Sequence, residues 1–363
     1  MASDFNSLGR MVLDAIQEGV VPGLVVAVGQ GSRVLLARAF GNRQVEPAVA
    51  PATVETVYDL ASLTKALVTS VLAMQGVEQA ILDLDSSAGR YLPALHDRPE
   101  VTLRRLLAHA SGFPAHRKLY ERVLTQELGP ASRAAVADLA AAESFVYTPG
   151  SKSVYSDLGF ILLGRILELA MQGRLDVLAE KSIFRPLGLK AIAFVDRANR
   201  DAVLQSAFPG QNVAATERCP VRQRLVVGEV HDLNAYAMGG VAGHAGLFGS
   251  IGDIVQLTAA LCAAYRGTDA AGGRALVDRD VIRLFWQPAG VPGSTWRLGW
   301  DGPSAEGSMA GSLLSRRSVG HLSFTGCSIW LDPEQETYVI VLCNRIHPTV
   351  RADARFRAFR LAL

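Results

Sequence analysis

Lysine is scarce in this 363-residue chain: of 36 basic residues five are lysines, leaving 31 arginines. The arginines are spread out with no basic block, which argues against a nucleic-acid groove, and the net charge is only +2. Long apolar runs are missing too. None approaches the roughly 18 to 20 residues needed to span a bilayer, so no membrane span is expected. Cysteine is sparse, and Cys219, Cys262, Cys327 and Cys343 form no Cys-x-x-Cys pair. They read as buried free thiols rather than as a zinc or redox site. There is no internal repeat, no low-complexity tract and no Ser/Gly/Pro linker. The lone Gly29-x-Gly31 is turn chemistry rather than a nucleotide loop.

What is present is a core: 49% of the residues are hydrophobic, enough to fill a compact globular protein. The first residues carry Leu8, Met11, Val12, Ala15 and Ile16 at helical spacing, which predicts an amphipathic helix ending at Gly19. They lack the basic and apolar blocks of a signal peptide. The expected compartment is therefore the cytoplasm as the sequence stands, or the periplasm had a signal peptide been removed.

Two β-rich runs, "PGLVVAVGQG" and "RVLLARAFG", meet at Gly31-Ser32 as a predicted hairpin. From Ala61 to Met74 the chain is apolar almost all round, the pattern of a buried helix. Helical patterns continue in "VTLRRLLAHASGFP", "SDLGFILLGRILELAM" and "IGDIVQLTAALCAAY". Strand patterns return in "TWRLGWDG", "GHLSFTGCSIWLDP" and "TYVIVLCNR". A last helix carries Ala352, Phe356, Phe359 and Leu363. The expected fold is α+β in one domain, 1–363. An antiparallel sheet is built from both chain ends, 1–60 with 285–363, and flanked by the terminal helices, with a mostly helical insertion over 61–284.

One stretch, "YDLASLTKAL", places Ser62 three residues before Lys65. On a helix, residues three apart are neighbours, so the lysine can help take the serine proton. That requires a partly deprotonated lysine, and burial pushes a lysine pKa down. A helix start also turns free N–H groups toward Ser62, which suits an oxyanion. An ordinary helix face fits the same four residues. Downstream, Tyr155-Ser156-Asp157 precedes an apolar helix, where Tyr155 is either an aromatic helix-start residue or a proton relay with its pKa lowered by Lys65. Further on, His321 opens the run "HLSFTGCSIWLDP".

Taken together these motifs resemble the serine β-lactamase and penicillin-binding protein family, nearest the class C β-lactamases, DD-peptidases and related esterases. That family pairs Ser-x-x-Lys with Tyr-x-Asn and a strand reading Lys-Thr-Gly or His-Thr-Gly. "PGLVVAVG", "LLAHASGFP" and "GGVAGHAGLFGS" are similar to further family signatures, in order along nearly the whole chain. The resemblance implies a β-lactamase-like fold and hydrolysis through an acyl-enzyme. Ser62 would be the nucleophile, Lys65 its general-base partner and Tyr155 the proton shuttle. The backbone N–H groups of Ser62 and Phe324 would form the oxyanion hole. No metal and no cofactor are implied, and the partner is a small-molecule ester, amide or β-lactam.

The chain departs from the pattern at two places. Asp157 stands where the family has Asn; an ionised Asp only accepts hydrogen bonds. It either complements the helix dipole or pairs with Lys65 and holds that lysine charged. The strand motif reads His321-Leu322-Ser323. Leu322 has no side-chain donor for the substrate carboxylate that β-lactams and D-Ala-D-Ala peptides carry. The expectation is therefore an esterase-like acyl hydrolase. A β-lactamase or D-alanyl-D-alanine carboxypeptidase is the alternative, and an acylated sensor without turnover is the alternative of another class. His231, Asp232 and His244 match no zinc spacing and are expected to structure loops, with His244 lining the cleft. His109 is expected to be a buried structural histidine.

Overall fold

The computed structural model describes residues 2–124, 130–268, 275–351 and 354–363. Its main sheet is antiparallel and six-stranded. The strands are β1 (Gly23–Gln30), β2 (Arg33–Gln44), β3 (Ala50–Pro51), β9 (Val319–Leu322), β10 (Ser328–Asp332) and β11 (Thr337–Cys343). They run β3-β2-β1-β11-β10-β9, so the first and last strands of the chain meet at its centre, where Val26 faces Val341. Smaller sheets join β4 (Tyr58–Asp59), β8 (Leu247–Gly249) and β5 (Ile192–Phe194), and pair β6 (Ala215–Cys219) with β7 (Arg224–Val227).

Alternation along β1 assigns its two faces. Leu24 and Val26 pack with Val12 and Ala15 of the Ala2–Gln17 helix and with Phe356 and Phe359 of the Ala354–Ala362 helix. Val25 and Ala27 face the opposite way, into the large core shared with Leu63, Leu67 and Leu158. Each such fully buried aliphatic side chain contributes about 1.5–3 kcal/mol of hydrophobic stabilisation. Among the described residues no helix is long and apolar enough to cross a membrane. All four cysteines are buried and free.

Several elements differ from expectation for local reasons. "TWRLGWDG" is not a strand: Gly299 sits at φ 80, and only Asp301 bridges to β9, through Gly320. "GHLSFTGCSIWLDP" is two strands, β9 and β10, joined by a turn at Phe324-Thr325. "VTLRRLLAHASGFP" yields only the Leu103–Leu107 helix, because His109 adopts φ 54. The segment 61–284 carries β5 to β8 beside its helices. Ala352 of the last predicted helix lies outside the described residues.

Candidate active site

Ser62 is not in the helix. Ala61 is held at φ 46, a left-handed conformation costly for a residue with a Cβ, with its N–H donated to Asp59 Oδ1 at 2.9 Å. The other oxygen of buried Asp59 accepts from His231 N. Ser62 therefore stands on a tight turn from which the helical segment departs. That segment contains a π-helical turn, Lys65–Thr69, before the Ser70–Glu78 α-helix. Such turns occur often at functional sites because they re-aim side chains. Here Lys65 reaches back to Ser62 Oγ at 3.1 Å.

Lys65 is fully buried and has three acceptors: Ser62 Oγ, Asp157 Oδ1 at 2.8 Å and His244 O at 2.9 Å. An ammonium has three N–H donors, so this set satisfies the charged form. The carbonyl of His244 arrives through a close backbone approach: a Cβ on Gly243 would lie 2.2 Å from Phe160 O. Burial alone pulls the Lys65 pKa down, as the sequence leads one to expect, but the carboxylate of Asp157 and the phenol of Tyr155 outweigh it. The net shift is upward. Burial likewise pushes Asp157 up, and Lys65, His116 and His244 overcome it, so its carboxyl lies well below the usual range. Both readings of Asp157 hold: it stands in the first turn of the Asp157–Ala170 helix and forms the ion pair with Lys65.

Tyr155 precedes the Asp157–Ala170 helix, which Ser156 caps by accepting from Gly159 N at 3.2 Å. The Tyr155 hydroxyl is buried without a geometric hydrogen-bond partner among the described residues, and Lys65 Nζ lies 4.9 Å from its ring centroid. Burial raises the Tyr155 pKa, and Lys65 and Ser62 offset only part of that. The expected lowering of this pKa is thus reversed, and Tyr155 is a proton donor at rest. Beneath it lies buried His109, its ring centroid 4.6 Å away. His109 Nδ1 accepts from Ser156 N at 3.0 Å, and burial holds its pKa well below the ordinary value, so it is a neutral support.

β9 is the edge strand, and its last residues His321 and Leu322, with Ser323 and Phe324, line a cleft of about 630 Å³ together with Ser62, Tyr155, Asp157 and His244. Two side chains contact the half-exposed Phe324 ring. His231 stacks on its ring at 5.5 Å and 19°, Arg345 lies 5.2 Å over it, and Arg345 Nε donates to Phe324 O at 2.9 Å. The main-chain N–H groups of Ser62 and Phe324 donate to no protein acceptor among the described residues. Ser323 Oγ is 3.0 Å from Thr325 Oγ1, so its hydroxyl is engaged locally. His321 does not supply the strand's positive charge: burial, then Lys65, pull its pKa down to about 3.

His244 lines the cleft, with Nε2 2.8 Å from Asp232 Oδ1. Burial pushes Asp232 up, but His244 chiefly brings it down to about 2. Asp232 also caps the Leu233–Ala237 helix through Ala235 N, and His231 Nε2 lies 3.0 Å from Glu217 Oε1. Among the described residues no group of His, Cys, Asp and Glu is disposed to hold a metal ion. Of the cleft residues that escaped the sequence reading, three stand beside the reacting groups or the strand edge. They are His116, whose Nδ1 is 3.3 Å from Asp157 Oδ2, and Trp296 and Asp301 on the loop before β9. His116 follows "LLAHASGFP" by two residues, and that neighbourhood is the one sequence signal for it.

The chain matches the family model described as Beta-lactamase over residues 9–363. It is 29% identical over 374 residues to a putative D-alanyl-D-alanine carboxypeptidase of Escherichia coli K12, covering 95% of this chain and 83% of that one. Its fold matches EstCE1, a hydrolase with promiscuous acyltransferase activity, at 22% identity and a TM-score of 0.73, over 97% of both chains. It also matches the octameric penicillin-binding protein homologue from Pyrococcus abyssi, at 24% identity and a TM-score of 0.73, over 94% of this chain and 73% of that one.

Proposed function

This chain belongs to the Beta-lactamase family and is a serine hydrolase, and from that premise we propose that it cleaves esters or amides that carry no carboxylate through an acyl-enzyme on Ser62. The observation that carries this reading is the hydrogen-bonded set Ser62–Lys65–Asp157 at 3.1 and 2.8 Å, open to the cleft beside two unused N–H groups. Once Lys65 has shed a proton it accepts that of Ser62 as Oγ attacks the carbonyl carbon. The N–H groups of Ser62 and Phe324 receive the oxyanion. Tyr155 protonates the leaving group and regains a proton from Lys65, and water then repeats the sequence on the acyl-enzyme.

Because the resting lysine is charged, activity should rise with pH as Lys65 deprotonates. Asp157 holds the Lys65 pKa up, so Asp157→Asn removes the charge and leaves burial to pull the lysine down. The rising limb of log kcat/KM against pH is expected to move to lower pH in Asp157→Asn. An unmoved limb would mean that this pair does not set the titration.

The carboxylate-binding element is what separates the esterase reading from the carboxypeptidase reading suggested by the relatives' name. Here it offers a neutral imidazole and a leucine. A charge-assisted hydrogen bond contributes roughly 1.5 to 3 kcal/mol, or about 10 to 150-fold in rate. Short-chain nitrophenyl esters are expected to be hydrolysed faster than penicillins, and Leu322→Thr to raise kcat/KM selectively on penicillins. A wild type already faster on penicillins, or a variant that changes both substrates alike, would favour the β-lactamase or carboxypeptidase reading. Steady turnover after any burst distinguishes an enzyme from an acylated sensor, which would release one equivalent of product and stop.

A further inference from the structure

His321, at the end of β9, turns an acceptor toward the cleft. Its Nδ1 lies 2.8 Å from Leu322 O, a contact that requires the proton on Nδ1. In the neutral ring Nε2 then carries only a lone pair, and that nitrogen has no partner among the described residues although the side chain is 1% exposed and lines the cleft. A buried acceptor left unpaired is costly, and a donor from a ligand in the cleft would relieve it.

The surroundings favour a positively charged donor. Trp296 packs against His321 at 5.6 Å between ring centroids, and Tyr155 lies 6.0 Å away on another side. Asp301 joins its backbone to Gly320, one residue before His321, through N–H···O bonds of 2.8 and 2.9 Å, and its side chain lines the same cleft. No arginine or lysine among the described residues forms an ion pair with Asp301. Arg297, the guanidinium that acts on it, donates instead to Trp286 O and Arg316 O. Lys65, the cation that acts on His321, is paired with Asp157, which offsets part of its charge. Burial raises the Asp301 carboxyl against bonds from Thr295 Oγ1 and Gly302 N, and a cation in the cleft would favour its ionised form.

We propose that the preferred substrate carries an ammonium group in its leaving half, with the N–H on His321 Nε2 and the charge between the Trp296 ring and Asp301. The leaving half is indicated because His321 and Trp296 both adjoin Tyr155, the group assigned to protonate it. The inference rests on the serine hydrolase reading of Ser62 and Tyr155. It departs from the carboxylate selectivity of D-Ala-D-Ala peptides by inverting the charge that the strand edge accepts. An aromatic face and a charge-assisted hydrogen bond together favour the cation by about tenfold or more.

The test is a pH-stat comparison of three butyrate esters, with the 2-(dimethylamino)ethyl, 3-methylbutyl and 2-carboxyethyl alcohols as leaving groups, on a preparation titrated with a fluorophosphonate at Ser62. The expected order of kcat/KM is ammonium, neutral, carboxylate, with at least about a tenfold first step. Asp301→Asn, which keeps an acceptor for Thr295, should shrink the ammonium-to-neutral ratio several-fold. His321→Lys should reverse the order; should it fail to fold, the Asp301→Asn ratio decides alone. A wild type that labels at Ser62 but hydrolyses the ammonium ester no faster than the neutral one overturns the proposal, as does a ratio unmoved by Asp301→Asn. Absence of both labelling and turnover would instead overturn the serine reading beneath it.

Discussion

Lys65→Ala and Tyr155→Phe are each expected to lower kcat on a short-chain ester by about 10²- to 10⁴-fold, the usual cost of removing one general acid or base. The two losses arise differently. Lys65→Ala removes the only cation paired with Asp157 Oδ1 among the described residues and leaves a buried carboxylate that burial pushes upward. Part of its effect will therefore appear as lost stability, which a melting curve separates from lost chemistry. Tyr155→Phe deletes a hydroxyl with no hydrogen-bond partner among the described residues, so stability should barely change while kcat falls. A Tyr155→Phe enzyme with full ester activity would make Tyr155 an aromatic helix-start residue and nothing more.

Both substitutions act on a network whose covalent spacing is plain in the sequence and whose charge state is not. Ser62, Lys65 and Tyr155 stood out because three-residue spacing and motif order are local properties. The fold class was readable for a similar reason: apolar alternation at both chain ends pairs β1 with β11 in one sheet. The sequence leaves the charge of Lys65 open between burial and a pair with Asp157, and that carboxylate, 92 positions away in the chain, holds it charged. Composition gives no measure of that competition. His116, Trp296 and Asp301 reach the cleft on loops, where no periodicity marks which way a side chain turns. "TWRLGWDG" had the alternation of a strand, but Gly299 at φ 80 bends it around the core while Trp296 enters the cleft. The neutrality of His321 depends on its burial and on nearby Lys65, both products of tertiary packing.

The larger effect still belongs to Ser62. Ser62→Ala keeps the turn, because the left-handed residue is Ala61 and its anchor is Asp59. It removes only the oxygen that Lys65 donates to. Hydrolysis should fall to the level of buffer, with the fold and melting temperature retained. The most direct measurement is the intact mass of wild type and Ser62→Ala after exposure to a fluorophosphonate, followed by peptide mapping. One adduct per wild-type chain, on the peptide containing Ser62 and absent from Ser62→Ala, is the expected result; an adduct that persists on Ser62→Ala, or that maps to another residue in the wild type, would contradict it.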